Sequence, residues 1–329
     1  VLPLSACGEA KSTTQQIFAM DTVMDLTAYG KKADDGINAA ISIINSMDKL
    51  LDPENERSKT YEINHAMGSP VVVNEQIAKM LRTAQTVYER TNGAFDLTTY
   101  PLSKLWGFID QNYRVPSDAE IERLLPCVDM RKVQLAATDD SANSLVTMPA
   151  DMALSFGAVA KGCASDYAIQ AMRAAGVTSG VVSLGGNVQT LGKKPDGSDW
   201  NIAIQDPNDT GSYLGYLTVG ETAVITSGSY QRYFTEGGQK YHHILSPTTG
   251  RPVNNGLLAV TIVCEDGTLA DCLSTAMFVL GPQAALNYWR TYGGFEMLLV
   301  KADGHVVLTN GLYGQFTPNG DSYVVDYAS

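Results

Sequence analysis

No stretch of this 329-residue chain reaches the roughly 18 consecutive apolar residues of a membrane helix, so no bilayer-spanning helix is expected. Basic residues are in deficit. Lys and Arg number 23 against 35 Asp and Glu, for a net charge of −12. Such a surface repels phosphate backbones at long range, which argues against nucleic acid as a partner. An anionic small ligand would need a local cation. The common nucleotide and hydrolase signatures are missing. There is no G-x-G-x-x-G, H-E-x-x-H or G-x-S-x-G. The segment from Gly186 to Lys193 approaches a P-loop, but five residues separate its glycines and no Ser or Thr follows Lys193. Neither internal repeats nor a Pro- or Ser-rich linker occurs, so a single structural unit is expected. The five cysteines include no C-x-x-C pair and have no His at zinc-ligand spacing. Cys163 and Cys272 sit in apolar helical patterns and read as buried free thiols, as Cys127 and Cys264 read as unpaired ones.

The fifth cysteine is different. Leu4-Ser5-Ala6-Cys7 has the form of a lipobox, in which a small residue precedes a cysteine that receives a lipid. Val1 to Ala6 would be the tail of a signal peptide, and residues 1–16 a lipobox remnant with a polar, flexible tether. The expected location is then extracytoplasmic, on the periplasmic side or the cell surface, with the membrane reached by lipid anchor only.

What remains is patterned in two periods. Apolar residues at helical spacing mark 35–51, 74–92, about 160–175, about 269–280 and 282–292, and Ser117 looks like a cap for a short helix. Alternating or β-branched runs mark strands at 181–184, 200–204, 213–219 and 258–263. A hairpin turning at Asp303-Gly304 is expected to close the chain. Helices and strands mix without a regular βαβ alternation. This is the pattern of an α+β fold with mixed, mainly antiparallel sheets packed against helices.

Four clusters could carry chemistry. Asp271 and Thr275 lie four apart and would share one helix face. A carboxylate beside a hydroxyl suits Mg²⁺ bound with substrate phosphates, although by spacing alone a helix-start Asp with a Thr bonded to the preceding turn is the favoured reading. The segment from Ser155 to Gly162 combines small residues with Lys161, which could meet a phosphate or simply be exposed after a tight turn. His242 and His243 are adjacent, so on a strand they point to opposite faces and one could enter a site as a base. The aromatics of Gly93 to Phe108 could wall a flat ring or fill the core.

Taken in order, these segments resemble the FAD:protein FMN transferases, the ApbE family. Phe18-Ala19-Met20-Asp21-Thr22 is similar to the family's opening M-G-T, with Asp21 in place of Gly. The stretches Ser58 to Asn64, Gly93 to Asp96, Pro101 to Phe108 and Gly157 to Gly162 resemble further family motifs. So do Ser183 to Asn187, Thr226 to Tyr230, His243 to Gly250 and Ala270 to Ala276. The resemblance runs from about residue 17 to 310.

The resemblance implies a catalytic domain over 17–329 and Mg²⁺-dependent transfer of FMN from FAD to a Thr or Ser hydroxyl of an acceptor protein, with release of AMP. The partners implied are extracytoplasmic redox proteins bearing the accepting hydroxyl. It implies Asp271 and Thr275 as metal ligands together with the Ala158 carbonyl, and Asp271 and His243 as the catalytic pair, with His243 as base. Lys161 would contact the FAD phosphates. Met20, Ala94, Phe95, Asp96, Ser155 and Leu245 would line the nucleotide, with the isoalloxazine near Phe95. Ser155 stands where the family usually has Asp, and Cys163 replaces a common Tyr. The alternatives are an FAD-binding lipoprotein and an FAD pyrophosphatase without a protein acceptor.

Overall fold

The structure, a computed structural model, describes residues 11–328; Cys7 and its lipobox lie outside the described residues. The chain begins with a hairpin, β1 (Ser12–Ala19) and β2 (Thr22–Tyr29), then α1 (Ala33–Leu51) and α2 (Lys59–Asn64). β3 (Val71–Asn74) leads into α3 (Glu75–Arg90), followed by α4 (Tyr100–Leu105) and α5 (Asp118–Leu124). β4 (Gln134–Ala137) and β5 (Asn143–Thr147) precede α6 (Ala160–Ala174). A run of strands follows: β6 (Gly180–Leu184), β7 (Asn187–Leu191), β8 (Trp200–Gln205), β9 (Tyr213–Val219), β10 (Ala223–Gly228), β11 (Tyr233–Glu236), β12 (Gln239–His242) and β13 (Leu257–Cys264). Then come α7 (Gly267–Leu280), α8 (Pro282–Tyr292), β14 (Glu296–Lys301), β15 (His305–Thr309), β16 (Phe316–Pro318) and β17 (Val324–Ala328).

Nine strands form the central sheet in the order β1-β2-β6-β7-β10-β13-β14-β15-β17. Every pairing in it is antiparallel except β15 with β17. The fold is therefore α+β with mixed, mainly antiparallel sheets. One face of the sheet carries α1, α6 and α7, which pack on one another and on β2, β7, β10 and β13. Their buried residues, among them Ile37, Ile44, Cys163, Met172, Cys272 and Met277, make up the main core with Met24, Leu26 and Ile262 of the sheet. Each such aliphatic side chain, fully buried, contributes about 1.5–3 kcal/mol. The other face is covered by the three-stranded sheet β16-β9-β8, whose Trp200, Ile202 and Leu217 pack against Val300 and Leu308.

Two expectations change. Residues 12–16, expected in a flexible tether, form most of β1, which pairs with β2 along its whole length from Ser12 opposite Tyr29. Cross-strand side-chain bonds hold it there, Thr14 to Thr27 at 3.0 Å and Gln16 to Asp25 at 2.8 Å. The β14–β15 hairpin does not close the chain either, because β16 and β17 follow it. The predicted helices fall within about two residues of those observed, and Ser117 caps α5 in a full capping box with Glu120.

Candidate active site

The antiparallel order brings several chain reversals to one end of the sheet. The β1–β2 turn holds Met20 and Asp21, and the β6–β7 turn holds Gly185 and Gly186. β2 pairs with β6 from Met24 opposite Leu184, so the two turns are neighbours, and a Cβ on Gly185 would lie 2.6 Å from the Thr22 hydroxyl. Ser227, near the end of β10, reaches the same end of the sheet.

Over this end the N-terminal parts of α6 and α7 cross. Backbone approaches backbone so closely that a Cβ on Gly162 would lie 2.1 Å from the Gly267 carbonyl oxygen and 2.6 Å from Asp271 Cβ. The missing side chain lets the Gly162 N–H donate to Asp271 Oδ2 at 2.8 Å. Asn187, the first residue of β7, donates its Nδ2 to Asp271 Oδ1 at 3.0 Å. The carboxylate is 4% exposed, and among the described residues it has no salt-bridge partner. Thr275, one helical turn further on, is half-buried. Its hydroxyl lies 3.2 Å from Ser227 Oγ, which is also 2.8 Å from Ser274 Oγ. Ala158 and Lys161 lie on the segment that delivers Gly162, Ala158 in the turn before α6 and Lys161 in its first turn. Lys161 forms no salt bridge among the described residues.

The two histidines diverge. β12 ends at His242, and His243 sits in the bend after it. His242 is buried; its Nε2–H donates to the Val253 carbonyl at 2.7 Å and its Nδ1 accepts from the Ile244 N–H at 3.3 Å. Both nitrogens are used, and its ring meets Phe278 edge-on. His243 is half-buried, with Nδ1 held at 3.1 Å from the Arg232 carbonyl. That partner can only accept, so Nδ1 carries the proton and Nε2 is left as a free acceptor. Burial, then the Arg232 charge, and less strongly His242 and Lys161, bring the His243 pKa down to about 3. The imidazole is therefore neutral across the physiological range. Around it stand Phe108 at 6.4 Å and, behind Phe108, the rings of Phe234, Tyr113 and Tyr241.

The expected nucleotide-lining residues divide. Met20 and Asp21 both have positive φ, at 48° and 58°, in a two-residue hairpin turn. This explains the Gly usual at position 21, and Asp is among the few other residues that tolerate that conformation. Arg232 senses the Asp21 charge, which links the β1–β2 turn to the His243 bend. Ser155 is half-buried, and its Oγ accepts from the Gly157 N–H at 3.2 Å. Ala94 is half-buried as well. The Phe95 ring is 2% exposed inside the main core, so it cannot wall a bound ring, and only its backbone remains for contact. Asp96 is also an internal tie. Its Oδ1 accepts from the Thr98 N–H and hydroxyl and its Oδ2 from the Met130 N–H at 3.0 Å. Burial outweighs these bonds and raises its pKa. Leu245 is buried and bridges to Pro252 by backbone pairing.

Asn187, Ser227 and Gly162 fall within the motifs, but the contacts they make, like the place of Arg232 beside His243, are not legible in the sequence. Asn64 was also undervalued; its side-chain amide brackets Leu154, next to Ser155, with two bonds of 2.9 Å. A cavity of about 490 Å³, lined in part by Val219, Glu296 and Leu312, opens at the opposite end of the sheet and includes none of these residues.

The chain is similar to known proteins in sequence and in fold. The ApbE family pattern matches residues 20–299, and the chain belongs to that family. A Klebsiella pneumoniae protein named FAD:protein FMN transferase is 31% identical over 86% of this chain and 87% of its own length. A Treponema pallidum protein of the same name is 29% identical over 94% of this chain and 91% of its own. The crystal structure of the ApbE protein of Thermotoga maritima superposes with a TM-score of 0.86 at 30% identity, covering 93% of this chain and all of that one. The flavin transferase ApbE of Vibrio cholerae, at 23% identity and a TM-score of 0.79 over 89% of this chain and 94% of its own, shares the fold.

Proposed function

We propose that this chain is an FAD:protein FMN transferase that moves FMN from FAD onto a Thr or Ser hydroxyl of an acceptor protein, releases AMP and requires Mg²⁺. The observation that carries the proposal is Asp271, a buried carboxylate with a neutral donor on each oxygen and no cation among the described residues. A buried charge in that state is costly, and a bound cation offsets the cost. A carboxylate, the Thr275 hydroxyl and the Ala158 carbonyl form a set of hard oxygen donors, which suits Mg²⁺ shared with substrate phosphates. These three residues would hold the ion, which when bound neutralises charge on the departing phosphate.

The chain's own residues account for the rest. Lys161 and Arg232 bring positive charge to a surface that is otherwise acidic, where FAD's diphosphate needs it. The Arg232 carbonyl fixes the His243 tautomer and leaves Nε2 to take a proton. The acceptor oxygen forms a bond to the FMN phosphorus as the bridging P–O bond breaks. The electron pair leaves on AMP and the hydroxyl proton goes to His243. The acceptor is proposed to be an extracytoplasmic redox protein, and the enzyme to be lipid-anchored through Cys7, on the support of Leu4-Ser5-Ala6-Cys7.

The test is incubation with FAD, Mg²⁺ and candidate acceptors, with AMP release followed and the acceptor weighed by mass spectrometry. An FMN adduct with stoichiometric AMP is expected. AMP and free FMN without an adduct on any acceptor would make the protein an FAD pyrophosphatase. Binding with no AMP would make it a carrier.

A further inference from the structure

Asp271 has a counterpart. On α6, Asp166 lies four residues after Gly162, as Asp271 lies four after Gly267 on α7. The two helices exchange bonds: Gly162 N–H of α6 donates to Asp271, and Gly267 N–H of α7 donates to Asp166 at 2.8 Å. Both carboxylates are also reached from β7, whose Asn187 and Gln189 are two apart and so share a face. Asn187 donates to Asp271, and Gln189 to Asp166 at 3.0 Å. Asp166 further accepts from the Thr268 N–H at 3.0 Å and its hydroxyl at 2.6 Å.

The sites differ in their cation. Asp166 is closed by Lys79 of α3, whose ammonium lies 2.8 Å from Oδ2 and 3.5 Å from Asp266 at the start of α7. Asp271 has no such partner among the described residues. One crossing thus carries a carboxylate with a built-in cation and another left open to a dissociable one.

We propose that Asp166 and Lys79 are positioning residues for the reaction: they clamp the first turn of α7 against α6 and β7 and so fix the direction in which Asp271 presents its carboxylate to the metal. The proposal rests on the reading of Asp271 as the metal carboxylate. The lever is short, because the clamped residues Gly267 and Thr268 lie one helical turn before Asp271. A one-turn shift in a rigid helix start moves Asp271 away from Gly162 and Asn187, the groups that set its orientation. Partners behind a metal ligand are typically worth about 10–100-fold in metal affinity.

The experiment titrates Mn²⁺ alone into the full chain, with free Mn²⁺ read by electron paramagnetic resonance, and records melting in excess chelator. Asp166→Asn and Lys79→Met are expected to weaken Mn²⁺ binding about tenfold or more. Lys79→Arg, which restores the cation, should recover most of it. FAD binding without metal, read by flavin fluorescence, should change less than twofold. Should Asp166→Asn fail to fold, Lys79→Met carries the test, since it leaves the four other hydrogen bonds to Asp166 in place. Variants that melt earlier in chelator yet bind Mn²⁺ like the wild type would reduce the pair to a structural prop and overturn the proposal alone. A wild type that binds no Mn²⁺, or binds it unchanged after Asp271→Ala, would overturn the metal reading and this proposal with it.

Discussion

The two halves of the site are built on opposite principles. Where α6 crosses α7, glycines set the spacing and the carboxylates are buried, Asp166 paired with Lys79 and Asp271 held among the described residues by neutral donors alone. Around His243 the scaffold is a two-stranded sheet, β11 with β12, whose Phe234 stacks on Tyr113 of the loop before α5, and both Tyr113 and the sheet's Tyr233 are exposed. On the proposed function the first half would order a metal and a diphosphate, which tolerate little displacement. On the same proposal the second half would receive the acceptor protein, and its two-stranded ribbon has the fewest strand pairings of any sheet among the described residues. The proposed division thus sets close packing where charge would be handled and a more exposed aromatic ribbon where the acceptor would arrive.

If that division is right, the largest effect comes from the rigid half. Asp271→Ala should lower AMP release by roughly 10³-fold or more, the equivalent of several kcal/mol of charge stabilisation. Thr275→Ala should cost less and be partly recovered by raising Mg²⁺. Mg²⁺ titrations of AMP release on both variants check this, and an unchanged curve for Asp271→Ala would break the comparison at its centre.

A smaller loss is expected from the open half. His243→Ala should lower kcat by about 10²-fold, the low end for a general base, because a group with a pKa brought down to about 3 is a weak one. FAD affinity should barely move. His242→Ala should destabilise the fold through its two lost backbone bonds while leaving the rate per folded molecule intact. Reversal of the two phenotypes would exchange their roles. The acid limb of kcat/KM should lie well below the ordinary His range near pH 6.5, and that of kcat higher, since a bound diphosphate favours the imidazolium. Stability follows the same sign. Between about pH 6.5 and 3 the unfolded chain binds a proton that folded His243 does not, so this residue's contribution is lost as pH falls, and His243→Gln should flatten that slope.

Gly162→Ala tests the packing itself. Its Cβ has no room against the Gly267 carbonyl, so a loss of about 1–3 kcal/mol in chemical denaturation is expected, together with weaker Mg²⁺ dependence. Gly157→Ala, whose Cβ would meet only the Ser155 hydroxyl at 3.5 Å, gives the control for stability.

The smallest effect belongs to the hinge between the halves. Asp21→Gly relieves a positive φ of 58° and removes a carboxylate whose charge Arg232 senses. FAD should bind two- to fivefold more tightly, in line with the modest worth of an exposed charge pair, as flavin fluorescence would show. Weaker binding would mean that Asp21 contacts the ligand favourably.

Periodicity alone was enough to place the long helices: α1 and α3 bury a stripe that the sequence displays, while α6 and α7 are rich enough in small and apolar residues to be buried on most of their surface. It did not reveal β1 or β7, whose polar residues break the apolar alternation: those of β1 are mostly exposed and bond across to β2, and Asn187, Gln189 and Thr190 of β7 are buried against neighbouring elements. The ordered motifs also determined the family and marked Asp271, Thr275, Lys161 and His243 as candidates, because residue type and local spacing persist in the chain itself. Which partners those residues meet depended on contacts about 100 residues apart, such as Gly162 with Asp271 and Asp166 with Gly267. Burial and hydrogen bonding are set by what packs from elsewhere. For that reason only the tertiary structure could decide that Phe95 faces the core, and that among the described residues both nitrogens of His242 are bonded while only Nδ1 of His243 is, and Asp166 has a lysine where Asp271 has none.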